Sequence, residues 1–492
     1  MHSAILRMFE SRFGARPTSI HEVAADGSQR AYWRLLGVDG RTAIGATGPE
    51  REENRAFLSF SRAFRGIGLP VPEIYDADES AGAWLMEDLG ETTLFDALVA
   101  ERAGGAFPES MIETYRGVLE VLPRFQIDGH AAVDYGVAYP RAAFDRQSIL
   151  WDLAYFKYHF LKLANVPFHE ARLERDFDAL ADFLLEVPLD SFLYRDFQSR
   201  NVMLRDGAPW FVDYQGGRRG ALHYDVASLL YDAKADLPDA VRAELLEYYL
   251  DVLTERVDVD RAEFRARFGG YVLVRVMQAM GAYGYRGFFE RKPRFLLSVP
   301  YAAANIRGIL EAGLPVALPE IEAAFGRIVD EFAPPPAGDG PAAGLTVRVS
   351  SFSYRRGYPR DDGGHGGGFV FDCRALPNPG REDLYKSLCG LDEPVRAFIE
   401  GMPEAGAFYD RTRELVESQV EVYRRRGFSS LSVAYGCTGG QHRSVHFAER
   451  LARDLEARFP DLTVEVFHRE EPLWPAREPE GAGSPAAPAR SG

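Results

Sequence analysis

The patterning of this chain predicts an α+β bilobal fold, a small β-rich lobe ahead of a large, mostly helical lobe, followed by a smaller α/β domain. Three observations lead there. The chain has 492 residues, more than one ordinary domain holds, at about 100–200 residues each. A stretch of Pro, Gly and small residues, Ala333-Pro-Pro-Pro-Ala-Gly-Asp-Gly-Pro-Ala-Ala-Gly344, has nothing with which to build a core and divides the chain as a linker. Ahead of it, short aromatic and β-branched runs give way to long helical periodicity, broken once by a strand-loop-strand segment between Leu193 and Val212.

The elements follow in order. Residues 1 to about 90 form the small lobe. Arg30-Ala-Tyr-Trp-Arg-Leu-Leu36 and Arg41-Thr-Ala-Ile-Gly45 read as strands separated by Gly40 and preceded by the turn Asp26-Gly27-Ser28, and Glu50–Arg65 reads as a helix ending at Gly66. From about 91 to 332 apolar residues recur at helical spacing, as in Ala240–Leu253 and Tyr271–Met280. Leu345 to Glu470 is a second compact segment, and residues 471–492, rich in Ala, Pro and Gly, read as a disordered tail.

Composition excludes several functions. With 46% hydrophobic and 12% aromatic residues the chain is globular. The net charge of −16, from 57 basic and 73 acidic residues, argues against broad nucleic-acid binding, which needs many phosphate-neutralising cations. Cys373, Cys389 and Cys437 are too few and wrongly spaced for a disulfide framework or a CxxC zinc site, so a cytoplasmic location is expected. No apolar run approaches about 18 residues, so no membrane partner is expected. Only five of the basic residues are lysines, and the first is Lys157.

The interruption carries chemistry. It reads Tyr194-Arg195-Asp196-Phe197-Gln198-Ser199-Arg200-Asn201-Val202-Met203-Leu204, then Pro209-Trp210-Phe211-Val212-Asp213-Tyr214-Gln215-Gly216. An Asp, an Asn five residues on, and a second Asp after an apolar strand form the layout of phosphoryl transfer in kinase-like folds. Asp196 would orient and deprotonate an acceptor hydroxyl. Asn201 and Asp213 supply the hard oxygen ligands that magnesium needs beside nucleotide phosphates. Either half alone is equally a capped turn or a strand end. The joint spacing, with Val202–Leu204 and Trp210–Val212 as hairpin arms, favours the catalytic reading.

This segment resembles the aminoglycoside phosphotransferase-like kinases, and within them looks most like the N-acetylmuramate/N-acetylglucosamine kinases of cell-wall sugar recycling. The resemblance covers about residues 1–330 and includes Asp26-Gly-Ser-Gln-Arg-Ala-Tyr-Trp-Arg34, Gly68-Leu-Pro-Val-Pro72, Leu85-Met-Glu-Asp-Leu-Gly90 and His223-Tyr-Asp-Val-Ala227. It implies ATP and Mg2+ as cofactors and an amino sugar as acceptor, plausibly at its anomeric hydroxyl. Gly27, Ser28 and Arg30 would lie in the loop over the phosphates. Met86, Glu87 and Leu89 would form the hinge at adenine, and Asp225 would brace the catalytic loop. Asp145 and Asp152, among aromatic residues where such kinases contact their acceptors, are the expected acceptor-binding carboxylates, although Leu150, Leu153 and Tyr158 also fit a core stripe.

Two departures stand out. Tyr194 replaces the usual His of the catalytic loop, a structural position. The lysine that grips the α/β-phosphates from the third small-lobe strand is missing, since no Lys precedes Lys157. Arg30, Arg34 or Arg51 would have to supply that charge, as a planar fork rather than a point charge.

In the second domain, Leu431-Ser-Val-Ala-Tyr-Gly-Cys437-Thr-Gly-Gly-Gln-His442-Arg443-Ser444 runs from an apolar strand through a Gly-rich turn into a helix. That arrangement aims backbone N–H groups and a helix N-terminus at one point, with Arg443, Thr438 and Ser444 adding donors, and predicts an anion site. Cys437 and Arg443 also fit the Cys-x5-Arg spacing of cysteine phosphatases. With Phe371-Asp-Cys-Arg374, Leu376-Pro-Asn-Pro379 and Gly390-Leu-Asp392, the segment 345–470 resembles the RapZ C-terminal domain, whose usual Walker-type partner is replaced here by the kinase-like segment. The resemblance implies a phosphosugar ligand held by Cys437, Thr438, Gly439, Gly440, His442, Arg443 and Ser444, with Asp372, Arg374 and Asn378 nearby. RNA, the other ligand of that family, is disfavoured because 18 basic and 19 acidic residues leave the segment near neutral.

The expected activity is therefore ATP-dependent phosphorylation of an amino sugar, with a phosphosugar-binding and regulatory second domain. Two alternatives stay open at this point: a nucleotide-binding pseudokinase joined to a phosphosugar- or RNA-binding module, and a Cys437-dependent phosphatase. Oligomeric state has no signature in the sequence.

Overall fold

Antiparallel pairing of five short strands builds the start of the chain. In the computed structural model helix α1 (His2–Phe13) leads into β1 (Ser19–Val23), β2 (Ala31–Leu36) and β3 (Thr42–Thr47), then α2 (Arg51–Gly66), β4 (Ile74–Asp78) and β5 (Ala83–Glu87). The strands lie in the order β1-β2-β3-β5-β4, every neighbouring pair antiparallel. The alternation of side chains decides what each face packs. Leu35, Ala43, Ala83 and Leu85 cluster with Ala4, Ile5, Met8 and Phe9 of α1. Ile44, Ala46, Trp84 and Met86 join Phe57 and Phe60 of α2 in the main core. The structure describes residues 2–23, 30–102, 107–333, 345–359, 368–425, 428–460 and 462–474.

The helical lobe continues with α3 (Leu94–Glu101), α4 (Glu109–Pro123), the one-turn α5 (His130–Ala132), α6 (Arg146–Phe156) and α7 (Glu170–Leu184). A capping box between Thr93 and Asp96 satisfies the first N–H groups of α3. The expected interruption follows as β6 (Ser191–Leu193), β7 (Val202–Arg205), β8 (Ala208–Phe211) and β9 (Arg218–Gly220). β7 and β8 form the hairpin, with Met203 opposite Trp210. β6 pairs with β9, a short strand that the hydrophobic pattern alone does not reveal. Helices α8 (His223–Leu230), α9 (Asp239–Thr254), α10 (Arg261–Gly284), α11 (Val299–Ala312) and α12 (Pro319–Phe332) complete this unit, Met1–Ala333. α10 packs against α6 and α8. Gly284 makes the close approach possible, because a Cβ there would stand 1.9 Å from the carbonyl oxygen of His159.

The second unit, Pro334–Gly492, is a parallel sheet. β10 (Thr346–Ser353), β11 (Gly368–Asp372), β12 (Ser430–Cys437) and β13 (Thr463–His468) lie in the order β11-β12-β10-β13. Helices α13 (Glu393–Glu400), α14 (Pro403–Arg425) and α15 (Arg443–Arg458) cover it, with Val347, Val349, Val433, Tyr409, Phe447 and Leu451 in its core. The expected tail opens with a 3₁₀ turn at Glu471–Leu473, and residues 475–492 lie outside the described residues. Among the described residues no helix is long and apolar enough to cross a membrane.

Candidate active site

A cleft of about 780 Å³ in the first unit is walled by the small sheet, α2 and the β7–β8 hairpin. Asp196, Asn201 and Asp213 all line it, together with Arg30, Met86, Glu87 and Leu89. Seven of the expected site residues therefore meet in one cavity although their positions run from 30 to 213. Gly27 and Ser28 lie outside the described residues.

The catalytic loop is held by a buried frame. Both oxygens of Asp225 accept backbone N–H bonds, from Tyr194 at 2.8 Å and Arg195 at 3.0 Å. Complete burial raises the Asp225 carboxyl to about 7, against the pull of those two donors. Tyr194 donates its hydroxyl to the carbonyl of Val212 at 2.5 Å, tying the loop to the strand that ends at Asp213. Arg195 adopts φ +88°, a left-handed conformation that a non-glycine residue keeps only when its surroundings impose it. They do: its guanidinium bonds both oxygens of Asp152, at 2.6 and 2.7 Å, and the Tyr224 hydroxyl at 2.7 Å.

Across the cleft floor, Asn201 donates its amide to the Asp196 carbonyl at 2.8 Å and to Asp213 Oδ2 at 3.2 Å. Gln215 Nε2 donates to Asp213 Oδ1 at 2.7 Å. Asp213, also left-handed at φ +71°, has its carboxyl pushed up by burial and by the neighbouring Asp196. A divalent cation would relieve that repulsion. Asn201 spends its amide hydrogens on protein acceptors, so its oxygen is the atom left for a cation. Among the described residues no cluster of three or more His, Cys, Asp or Glu could hold a metal alone. A site of one carboxylate and one amide oxygen suits magnesium, which keeps few protein ligands and completes its shell with phosphates and water.

The hinge segment is clamped from β2. Arg34 bonds Asp88 through Nε at 2.7 Å and through a second nitrogen at 3.1 Å, and reaches the Gly90 carbonyl at 2.9 Å and the Glu91 carboxylate. Met86 and Leu89 give the adjoining wall an apolar surface suited to a flat base.

Two expectations need correction. Asp145 and Asp152 do not line this cleft. Asp145 caps α6, accepting from the Ser148 N–H at 3.0 Å, and pairs with Arg141. Asp152 is buried with both oxygens taken by Arg195, so it positions the loop instead of presenting a carboxylate to an acceptor. Sequence reasoning missed Glu53, Asn54 and Gln215, which line the cleft, and Arg286, which enters it from a π-helical turn after α10. Gln215 could have been found from its place two residues beyond Asp213. Arg286 carries no local signal.

In the second unit the expected residues gather beyond the C-terminal ends of parallel strands, where open α/β sheets bind ligands. Cys437 Sγ accepts the Gly440 N–H at 3.2 Å and lies 3.2 Å from Ser444 Oγ. These donors, with Arg443 nearby, lower the thiol's proton affinity despite its burial. Ser353 Oγ holds the Thr438 carbonyl at 2.8 Å. Gly440 sits at φ +70°, and a Cβ there would meet Glu470 Oε2 at 2.7 Å, so glycine is required at this position. His442 contacts the Tyr385 carbonyl at 2.9 Å, and its ring lies beside Gly380, as does the Asn378 side chain. Asp372 and Arg374 pair at 2.6 Å, with the guanidinium over the Tyr354 ring. Gly439 is in the same turn.

Arg443 is only partly committed to the protein, since its buried Nε has no hydrogen-bond partner. It is 2% exposed, and its NH1 donates to the carbonyls of Cys373, Arg374 and Leu376 at 3.2, 3.3 and 2.5 Å. That nitrogen braces the loop after β11.

The fold and the Asp196, Asn201 and Asp213 cleft define a phosphotransferase-type catalytic lobe. The chain belongs to the phosphotransferase enzyme family, whose model matches residues 19–264, half of the sequence. Residues 345–472 match the RapZ C-terminal domain. Curated relatives include a "nucleotide-binding protein" of Halorhodospira halophila, 41% identical over 131 residues, covering 27% of this chain and 43% of that one. Another, of Mycobacterium avium, is 39% identical over 135 residues, covering 27% and 44%. The chain thus spans less than half the length of these relatives. Aligned solved structures include choline kinase LicA of Streptococcus pneumoniae, at 14% identity, 62% and 99% coverage and TM-score 0.42. A choline/ethanolamine kinase family protein of Mesorhizobium loti aligns at 15% identity, 67% and 100% coverage and TM-score 0.44.

Proposed function

We propose that the first unit transfers the terminal phosphoryl group of ATP to a hydroxyl of an amino sugar such as N-acetylmuramate or N-acetylglucosamine, and that the second unit binds a phosphosugar. The observation that carries the first part is the convergence of Asp196, Asn201 and Asp213 on one cleft that Met86–Leu89 also line. Asn201 and Asp213 would hold Mg2+, which neutralises developing charge on the phosphates and aligns them for transfer. Asp196 orients the acceptor hydroxyl and takes its proton. Asp225, Arg195 and Asp152 keep Asp196 in place through the loop backbone. Arg286, which lines the cleft, would give a polar acceptor such as a sugar a donor to bond.

The test is ATP turnover, with Mg2+, against N-acetylmuramate, N-acetylglucosamine, glucosamine and choline. Turnover with an amino sugar supports the proposal. Turnover with choline alone removes the sugar assignment but keeps the kinase. For the second unit, glucosamine-6-phosphate is expected to raise its thermal midpoint, and an unchanged midpoint at millimolar ligand contradicts that part.

A further inference from the structure

Two of the three cysteines meet at the anion cradle of the second unit. β11 and β12 run parallel and in register, with Phe369 opposite Val433, Phe371 opposite Tyr435 and Asp372 opposite Gly436. One residue further, Cys373 and Cys437 stand next to each other where the two strands end. Side-chain alternation puts Cys437 on the face of Val433 and Tyr435, and Cys373 on the face of Phe369 and Phe371. All six side chains belong to one packed core, so the two thiols share a face of the sheet. Paired strands lie about 4.8 Å apart, within the span of about 4.4–6.8 Å between Cα atoms that a disulfide bridges. Both residues are free thiols in this structure.

The two are chemically unlike. Burial opposes ionisation of Cys437, but the hydroxyl and N–H of Ser444, the Gly440 N–H and the Arg443 charge outweigh it and lower the thiol pKa. Thr438 is half-buried and Gly439 exposed, so the sulfur lies just beneath the solvent-facing turn. Complete burial, with Cys437 adding to it, holds the Cys373 thiol well above the usual range. An easily ionised cysteine near the surface, beside a second cysteine that stays protonated, is suited to attack an oxidant and then be resolved into a disulfide. Cys389 lies apart from this pair, in the turn before α13, where its sulfur accepts the Leu391 N–H at 3.5 Å.

We infer that Cys437 and Cys373 are an oxidation site, forming a reversible disulfide on exposure to a hydroperoxide. The Cys437 thiolate attacks one peroxide oxygen, breaking the O–O bond to give a sulfenic acid and hydroxide. The Cys373 sulfur then attacks the Cys437 sulfur, the S–O bond breaks, and the Cys373 proton leaves with that oxygen as water. Two thiols are oxidised by two electrons in total, and hydrogen peroxide is reduced to two waters once the hydroxide is protonated. The new bond draws Cys437 Sγ away from the Gly440 N–H and Ser444 Oγ, the contacts that shape the turn. It also pulls on Arg443, whose NH1 holds the Cys373 carbonyl at 3.2 Å. Oxidation therefore disables the cradle, a consequence that rests on the proposed phosphosugar site, whereas the oxidation site itself does not.

Peptide mapping of the full chain, treated with hydrogen peroxide and alkylated without reductant, tests the site. The expected product is a linked pair of peptides carrying Cys373 and Cys437 of one chain, released by a dithiol, with Cys389 alkylated. Cys373→Ala treated in the same way with dimedone present should carry the adduct on Cys437, because its sulfenic acid then lacks a resolving partner. Cys373 and Cys437 both alkylated after peroxide overturns the inference. So does a link through Cys389 or to a second chain, or a dimedone adduct on Cys437 that persists in the unsubstituted chain. Calorimetry with glucosamine-6-phosphate tests the consequence: the disulfide form should bind at least about tenfold more weakly than the reduced form, as the loss of two hydrogen-bonded contacts implies, and recover on reduction. Equal affinity of the two forms overturns the control of the cradle. Absence of binding by the reduced chain overturns the phosphosugar reading together with that consequence, and the mapping still decides the oxidation site.

Discussion

Replacing Asp152 by Ala separates two roles for a carboxylate beside the catalytic loop. The Asp152 and Arg195 side chains are 10% and 13% exposed, and their two bonds are 2.6 and 2.7 Å. Removing one partner of so buried a pair leaves the other charge uncompensated, a loss of about 3–5 kcal/mol. The Tyr224 hydroxyl still bonds Arg195 and places the expected loss toward the lower end, about 3 kcal/mol. Urea unfolding followed by tryptophan fluorescence reports mainly on the first unit, which holds Trp33, Trp84, Trp151 and Trp210 of the five tryptophans. The pair is coupled, so Asp152→Ala with Arg195→Ala should cost about 1–3 kcal/mol less than the sum of the single changes. In turnover assays Asp152→Ala should lower kcat, because the loop carrying Asp196 loses its brace, with acceptor KM within about threefold. Stability within about 0.5 kcal/mol of the unsubstituted chain, together with an acceptor KM raised more than tenfold, would refute the reasoning and return Asp152 to the acceptor site.

Two further outcomes follow from buried groups. His223 is stacked on Phe264 and Tyr271 at 3.8 and 4.9 Å, and burial lowers its pKa to about 3. The unfolded chain therefore binds a proton that the folded one refuses: the stability is fully present above about pH 6.5 and is lost as pH falls toward 3, at up to about 1.4 kcal/mol per pH unit. Unfolding midpoints of His223→Phe between pH 7 and 4 should fall less steeply than those of the unsubstituted chain, and identical slopes would contradict this. In the second unit, Arg443→Met removes the donor shared by three carbonyls. Hydrogen exchange in residues 368–376 should quicken by at least about tenfold while the first unit is unaffected, and unchanged exchange would show that the brace is dispensable.

The parts of the site that could be read from the sequence are those whose partners are near in sequence. Asp196, Asn201 and Asp213 flank one hairpin, so their spacing is set largely by two short strands and a turn and the pattern survives without tertiary knowledge. The strand, Gly-rich turn and helix of the second unit were legible for the same reason. Long-range pairing was not. Helical spacing showed that Asp152 lies beside a core stripe, but not that Arg195, on a distant loop, would take both its oxygens. Arg443 sits at a helix start, as expected, yet its aim depends on where the loop after β11 packs. The missing lysine was visible as an absence.

The central claim, that the cleft is a phosphoryl-transfer site with Asp196 as its base, is tested most directly by Asp196→Asn. Turnover of Mg·ATP with the best amino-sugar acceptor is measured alongside Mg·ADP affinity in the same preparation. The account predicts that kcat falls by about 10²–10⁴-fold, the range of a lost general base, with Mg·ADP affinity within about threefold. Turnover unchanged by Asp196→Asn would contradict it.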